Sequence, residues 1–140
     1  MKLITRDTDY AIRTLSYVAG NKAKKASVSQ IVKELRIPRS FLRKIIQVLN
    51  KKGIIKSQKG KGGGFVLMMQ PDHILLADLI EIFQGPLSLN ECLFKGKICP
   101  NIKICVLRKK INSIEKYVIN ELRCIDISSL LSKKGRKLNE

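Results

Sequence analysis

Three cysteines share one short stretch, Cys92-Leu-Phe-Lys-Gly-Lys-Ile-Cys99-Pro-Asn-Ile-Lys-Ile-Cys105. Thiolates carried on a loop with Gly96 and Pro100 can converge on a soft metal centre, iron and sulfide in particular. The Cys-x-x-Cys knuckles of structural zinc sites are absent, so a zinc knuckle is disfavoured. Lys95, Lys97 and Lys103 argue against burial and favour thiolate chemistry, whether metal ligation or redox reactivity. Buried free cysteine acting as a small apolar residue is the bland alternative, and spacing alone leaves the three readings open. Cys124 stands apart in sequence and is read as packing. The sole histidine, His73, is expected to pack or face solvent. No nucleophile, base and orienting group occur together, so an enzyme is not expected.

A second set of residues carries a different chemistry. Arg39, Ser40, Arg43, Lys44 and Gln47 recur at helical offsets, and Lys59, Gly60 and Lys61 follow in a glycine-rich stretch. Guanidinium, ammonium, hydroxyl and amide groups on one helix face can hydrogen-bond base edges and phosphates together. Arg43 is the best single candidate for a base contact, because a guanidinium bonds guanine in bidentate fashion. The run Gly60-Lys61-Gly62-Gly63-Gly64 lacks the Lys-Ser/Thr ending of a nucleotide-binding loop. With 28 Lys and Arg against 11 Asp and Glu, the chain carries a formal charge of +17. Such an excess favours a polyanionic partner, nucleic acid first, through counterion release.

The elements that must position these groups follow from periodicity. Ala11, Ile12, Leu15, Val18 and Ala19 predict an amphipathic helix over Asp7 to Ala19, with Thr8 or Asp7 as cap. Ser27 and Gln30 form a capping box ahead of a short second helix. Ile37-Pro38 ends it and opens a third from about Arg39 to Lys51, which buries Leu42, Ile45, Ile46 and Leu49 and stops at Gly53. Two short strands, Ile54–Ser57 and Phe65–Met68, then flank the glycine-rich loop as a hairpin. Leu75 to Gln84 is helical. Ile104, Leu107, Ile111, Ile114, Val118, Leu122 and Ile125 predict one long helix close to a heptad seam. A helix, tight turn and helix followed by a basic hairpin outline a winged helix-turn-helix, mainly α with a small β-hairpin.

At 140 residues the chain has room for one domain plus an appended element. Apolar runs are too short for a bilayer span and the amino terminus has no signal-peptide pattern, so a cytoplasmic protein without membrane contact is expected. The expected division is 1–85 for DNA binding, 86–105 for the cysteine loop, 106–131 for the long helix and C-terminal segment, and 132–140 as a flexible tail.

Thr8-Asp9-Tyr10-Ala11-Ile12-Arg13, Ile37-Pro38-Arg39-Ser40-Phe41-Leu42, Lys59-Gly60-Lys61-Gly62-Gly63-Gly64-Phe65, Leu76-Ala77-Asp78-Leu79-Ile80 and the cysteine triplet occur in the order found in the Rrf2 family of transcription regulators. The chain resembles that family over nearly its whole length. The resemblance implies a winged-helix domain, a homodimer built on the long helix, a double-stranded DNA operator and an iron–sulfur cluster (2Fe-2S or 4Fe-4S) held by Cys92, Cys99 and Cys105. Members differ in the fourth ligand. In one type a histidine stands three residues past the last cysteine, where this chain has Arg108. In another, an aspartate from the partner's first helix completes the site, and Asp9 matches that position. The interval from Cys92 to Cys99 is one residue longer than in those members, which leaves cluster type open. The resemblance thus implies a repressor or activator sensing iron, redox state or nitric oxide, with no small-molecule substrate. Other members dispense with a cluster and respond to cysteine supply through a protein partner. A non-specific basic nucleic-acid-binding protein is the alternative of another class.

Overall fold

The first helix, α1 (Arg6–Gly20), begins earlier than its apolar spacing predicts, because Thr5 and not Asp7 or Thr8 is the N-cap. Asp7 and Asp9 lie in its first turn, where the helix dipole favours carboxylates. Thr8 is instead fully buried, and its Oγ1 donates to Gln84 Oε1 at 2.7 Å. A computed structural model describes residues 2–60, 63–89, 99–101 and 103–131.

α2 (Val28–Leu35) carries the expected capping box between Ser27 and Gln30, and ends with Arg36 in the left-handed region at φ 53°. Pro38 is the N-cap of α3 (Arg39–Lys51), whose buried side chains are Leu42, Ile45, Ile46 and Leu49, as their spacing predicts. The short Arg36-Ile37-Pro38 connection, with Ile37 buried in the core, sets α3 firmly against α2.

The hairpin strands are β2 (Ile55–Gln58) and β3 (Gly64–Leu67), after a short β1 (Lys25–Ala26). The sheet has three strands in the order β1-β3-β2, antiparallel throughout, with Ala26 opposite Phe65 and Ser57 opposite Phe65 on the other side. β1 is an addition to the expected hairpin. A two-residue strand has no periodicity to read, and Lys22, Lys24 and its own Lys25 resemble a loop. Phe65 is buried, so the central strand is pinned to the helices while the wing projects.

A 3-10 turn at Pro71–His73 leads into α4 (Leu76–Gln84), which ends at Gly85. α5 (Val106–Arg123) is shorter than the single long helix expected, and α6 (Ile127–Leu131) follows it. The break is stabilised by tertiary hydrogen bonds. Leu76 N donates to Ile125 O at 2.9 Å and Ile127 N to Ile74 O at 3.0 Å, forming an isolated bridge between Leu75 and Asp126. Ile127 then enters the main core and α6 packs on α1. A second, smaller core holds Leu76, Ile80 and Leu122, with Leu87, Val118 and Ile125 against it.

Candidate nucleic-acid interface and thiol segment

Burying Leu42, Ile45, Ile46 and Leu49 turns the opposite face of α3 outward, and Arg39, Ser40, Arg43, Lys44 and Gln47 are all exposed on it. Among the described residues no carboxylate pairs with Arg39, Arg43, Lys44 or Lys59, so these cations remain available to an external anion. Arg39 is not simply outstretched. Its Nη2 donates to Ser29 Oγ at 3.4 Å, a link from the first turn of α3 to the first turn of α2. Lys44 Nζ lies 6.0 Å from the centroid of the Phe41 ring, and Phe41 meets Tyr10 of α1 edge-on at 6.3 Å. The aromatic face restrains the lysine without neutralising it. Ser29, Tyr10 and Phe41 were not anticipated as supports of this face. The (i, i+3) pair of Phe41 and Lys44 was the one readable signal.

In the wing, Lys59 and Gly60 are exposed, Gly60 with φ +98°. Lys61 and Gly62 lie outside the described residues. Gly64 has φ +145°, and a Cβ on it would lie 2.3 Å from the Ala26 carbonyl oxygen. The absence of a side chain there lets β3 approach β1, so this glycine serves the sheet and not an approach to a ligand. A cleft of about 430 Å³ lined by Ala23, Lys25, Ser27, Gln30 and Gly63 continues the surface from the wing to the start of α2.

The thiol segment is described only in part. Cys92 lies outside the described residues. Cys99 and Cys105 are free and half-buried. Cys105 is the N-cap of α5, its Sγ accepting from Arg108 N at 3.4 Å. Just before the segment, Leu89 N donates to Glu115 Oε2 of α5 at 2.9 Å. Among the described residues no three Cys, His, Asp or Glu side chains converge on a point. Asp9 is on the first turn of α1 with Oδ2 2.9 Å from Arg13 Nε, both side chains largely exposed. Cys124 is not packed as expected. α5 stops at Arg123, leaving Cys124 as an exposed C-cap whose Sγ donates to Asn120 O at 3.3 Å. His73 is exposed.

The apolar stripe of α5 divides in two. Val118 and Leu122 pack against α4, whereas Val106, Leu107, Ile114 and Tyr117, with Ile104 just ahead of the helix, are between 51 and 72% exposed. No helix among the described residues is long and apolar enough to cross a membrane.

Comparison with known proteins agrees with this architecture. Residues 4–133 match the Rrf2 family, described as an iron-dependent transcriptional regulator. An HTH-type transcriptional regulator of Aquifex aeolicus (strain VF5) is 30% identical over 131 residues, covering 92% of this chain and 91% of the relative. The HTH-type transcriptional regulator NsrR of Bacillus subtilis (strain 168) is 29% identical over 146 residues, covering 96% and 99%. Among solved structures, CymR, the global cysteine regulator of B. subtilis, superposes with a TM-score of 0.78 at 25% identity, covering 94% of this chain and 98% of that one. Helix pair, wing and family match together make the chain a member of the Rrf2 family, a transcription regulator and not an enzyme.

Proposed function

We propose that the chain is a cytoplasmic, sequence-specific DNA-binding regulator that acts as a homodimer and senses iron, redox state or nitric oxide through an iron–sulfur cluster. The observation that carries the DNA-binding part is the exposed cationic face of α3 beside the wing, which no carboxylate among the described residues neutralises. α3 is the reader in the major groove, with Arg43 at a base edge and Arg39, Ser40, Lys44 and Gln47 on bases and flanking phosphates. Lys59, Gly60 and Lys61 of the wing reach the adjacent minor groove or its phosphates. Residues 1–85 form the DNA-binding unit, 86–105 the sensing segment and 106–131 the dimerisation helix with its C-terminal segment. The second copy covers the exposed apolar half of α5.

The donor chemistry present suits the cluster. Cys99 and Cys105 are free cysteines, and the Cys105 sulfur already accepts a backbone N–H at a helix start, the kind of hydrogen bond that stabilises a ligating thiolate. Cys92, Cys99 and Cys105 would hold the group, with Asp9 of the partner subunit as fourth ligand. When bound it supplies an iron centre responsive to oxidants and small diatomic ligands. A carboxylate is the exchangeable member of such a set. Asp9 would have to leave Arg13 to serve, so Arg13 competes with ligation.

Operator selection from random duplexes at fixed salt, paired with iron and sulfide analysis of anaerobically purified protein, tests the proposal. A recurrent pseudo-palindrome and stoichiometric iron are expected. A chain that binds every duplex alike would instead be a non-specific basic protein. The likeness to CymR favours a second reading, a cluster-free regulator responding to cysteine supply through a protein partner. Under that reading, replacing Cys92, Cys99 and Cys105 by Ala leaves regulation intact and the purified protein is iron-free.

A further inference from the structure

We infer that Phe41 is a positioning residue for DNA binding: its ring, backed by Tyr10, holds the Lys44 ammonium toward the amino end of α3, where it meets a phosphate. This role deepens the DNA-binding reading proposed above and rests on it for its purpose, though not for its geometry.

Phe41 stands in the first turn of α3, outside the buried set of Leu42, Ile45, Ile46 and Leu49, and is half-buried at the margin between the core and the exposed face. It packs against the main core, as does Tyr10 of α1. The two rings meet edge-on, with centroids 6.3 Å apart and planes inclined by 70°, a favoured aromatic geometry. A residue of another helix thus fixes the Phe41 ring, in addition to the buried stripe of α3 itself. Lys44 follows one turn later on the same helix. Long helical side chains lean toward the helix amino terminus, which carries the lysine stem back over residue 41. Its Nζ lies 6.0 Å from the ring centroid, within the range of a cation–π contact.

The consequence is where the ammonium stands and how freely it moves. An exposed lysine without a partner samples many rotamers and loses that freedom when it grips a phosphate. Lys44 is already restricted in the unbound chain, and the ring does not cancel its charge, so it meets DNA partly ordered and fully charged. The amino-terminal turns of a reader helix approach the groove most closely, so leaning that way brings Lys44 toward Arg39, Ser40 and the duplex. Loss of the ring should therefore weaken binding without changing the number of counterions released. Leucine keeps apolar bulk at residue 41 but has no quadrupole, whereas tyrosine keeps the ring.

The test titrates the full chain with a mixed-sequence duplex across a salt series, read by fluorescence anisotropy. Phe41→Leu is expected to weaken binding about three-fold per engaged protomer at every salt concentration, the size of an exposed cation–π contact, with an unchanged slope of log affinity against log salt. Lys44→Met should instead lower that slope by about one per protomer. In the Lys44→Met background Phe41→Leu should have no further effect, and Phe41→Tyr alone should bind as wild type does. An equal loss from Phe41→Leu in both backgrounds would make Phe41 a packing residue and overturn the inference. So would no loss from Phe41→Leu, or a Lys44→Met chain that binds like wild type. The unaltered chain without DNA gives a second measurement by NMR. The ring current of Phe41 should move the Lys44 ε-methylene protons upfield of those of the other lysines, and Phe41→Leu should abolish the shift. An unshifted Lys44 in a chain that binds DNA removes the positioning role alone. A wild-type chain that shows the shift but binds no duplex would overturn the DNA-binding reading and the positioning role with it.

Discussion

Gly64 and Ala26 approach so closely that the Ala26 carbonyl oxygen occupies the space where a side chain on residue 64 would begin, 2.3 Å from an ideal Cβ. The glycine's φ of +145° adds a backbone conformation that L-residues rarely adopt. Gly64→Ala is therefore expected to destabilise the domain by ~1–3 kcal/mol from backbone strain, with the clash adding to it. Gly60→Ala, with φ +98° but open space around its Cβ, should cost only its strain, ~1 kcal/mol. Urea titration of both variants checks the order. A Gly64→Ala midpoint at or above that of Gly60→Ala would contradict the packing role given to Gly64.

That contact also marks the limit of what the sequence discloses. The helix pair, the Ser27–Gln30 capping box and the buried face of α3 were legible, because each rests on local periodicity or capping chemistry that repeats within a turn or two. β1 was not, since its evidence is the pairing of Lys25 and Ala26 with residues some forty positions away in the chain. The glycine-rich stretch shows in the sequence only as a permissive loop beside Lys59 and Lys61, whereas Gly64 is required by a strand of its own sheet. The α5 stripe was legible as apolar but not as divided. Only tertiary contacts reveal that α4 covers Val118 and Leu122, and that Ile125 leaves the helix to bond Leu76. Thr5 displaced Thr8 as N-cap because Gln84, distant in sequence, takes the Thr8 hydroxyl.

Gln84 joins the end of α4 to the start of α1. Its Oε1 accepts from Thr5 N at 2.9 Å and from Thr8 Oγ1 at 2.7 Å, and its Nε2 donates to Leu3 O at 3.3 Å. Gln84→Leu keeps the volume but removes the acceptor of the Thr5 amide and leaves the fully buried Thr8 hydroxyl only its 3.1 Å contact with Thr5 Oγ1. A loss of ~1–3 kcal/mol is expected for the lost acceptor. Thermal unfolding compared with Gln84→Glu, which keeps the acceptor, separates the hydrogen bonds from packing. Equal melting temperatures for Gln84→Leu and wild type would rule out a stabilising junction.

Asp126 starts α6 by accepting the Ser128 hydroxyl and the Ser129 amide, and these bonds hold its carboxyl below the ordinary value near 3.8. A depressed folded pKa means the contribution is complete above the unfolded value of about 3.9 and is lost as pH falls through the lower folded value. Acidification below about pH 4 should therefore weaken wild type more than Asp126→Asn, whose side chain does not titrate. The gap between the two should narrow as pH drops. Parallel stability profiles from pH 5 to pH 2 would show that Asp126 adds no proton-linked stability.

On the proposed DNA-binding surface, Arg43 of α3 and Lys59 of the wing are assigned different work, and salt separates them. Arg43→Ala should lose ~1–3 kcal/mol of discrimination at one base pair, leaving most non-specific binding intact. Lys59→Ala should weaken all duplexes alike and reduce the slope of log affinity against log salt by about one. Fluorescence anisotropy with the selected operator and a scrambled duplex, across a salt series, reads both. If Arg43→Ala weakens both duplexes equally, Arg43 is a phosphate contact and the base contact lies elsewhere on α3.

Under the proposed reading, dimerisation bears on the DNA site through α5. Leu107 and Ile114 stand one heptad apart on the uncovered half of its stripe, 67% and 51% exposed, on a helix whose other half α4 already covers. Full burial of such a side chain contributes ~1.5–3 kcal/mol, and a twofold interface would count each residue twice. Leu107→Glu with Ile114→Glu should therefore yield a monomer by sedimentation, with the α1 to α4 domain still folded because neither side chain enters either core. A monomer presents one reader helix, so affinity for a pseudo-palindromic operator should fall by a hundred-fold or about that, while affinity for an isolated half-site stays within a few-fold. A double variant that remains dimeric would move the interface off this face of α5. One that becomes monomeric yet binds the full operator as tightly as wild type would instead separate dimerisation from DNA recognition.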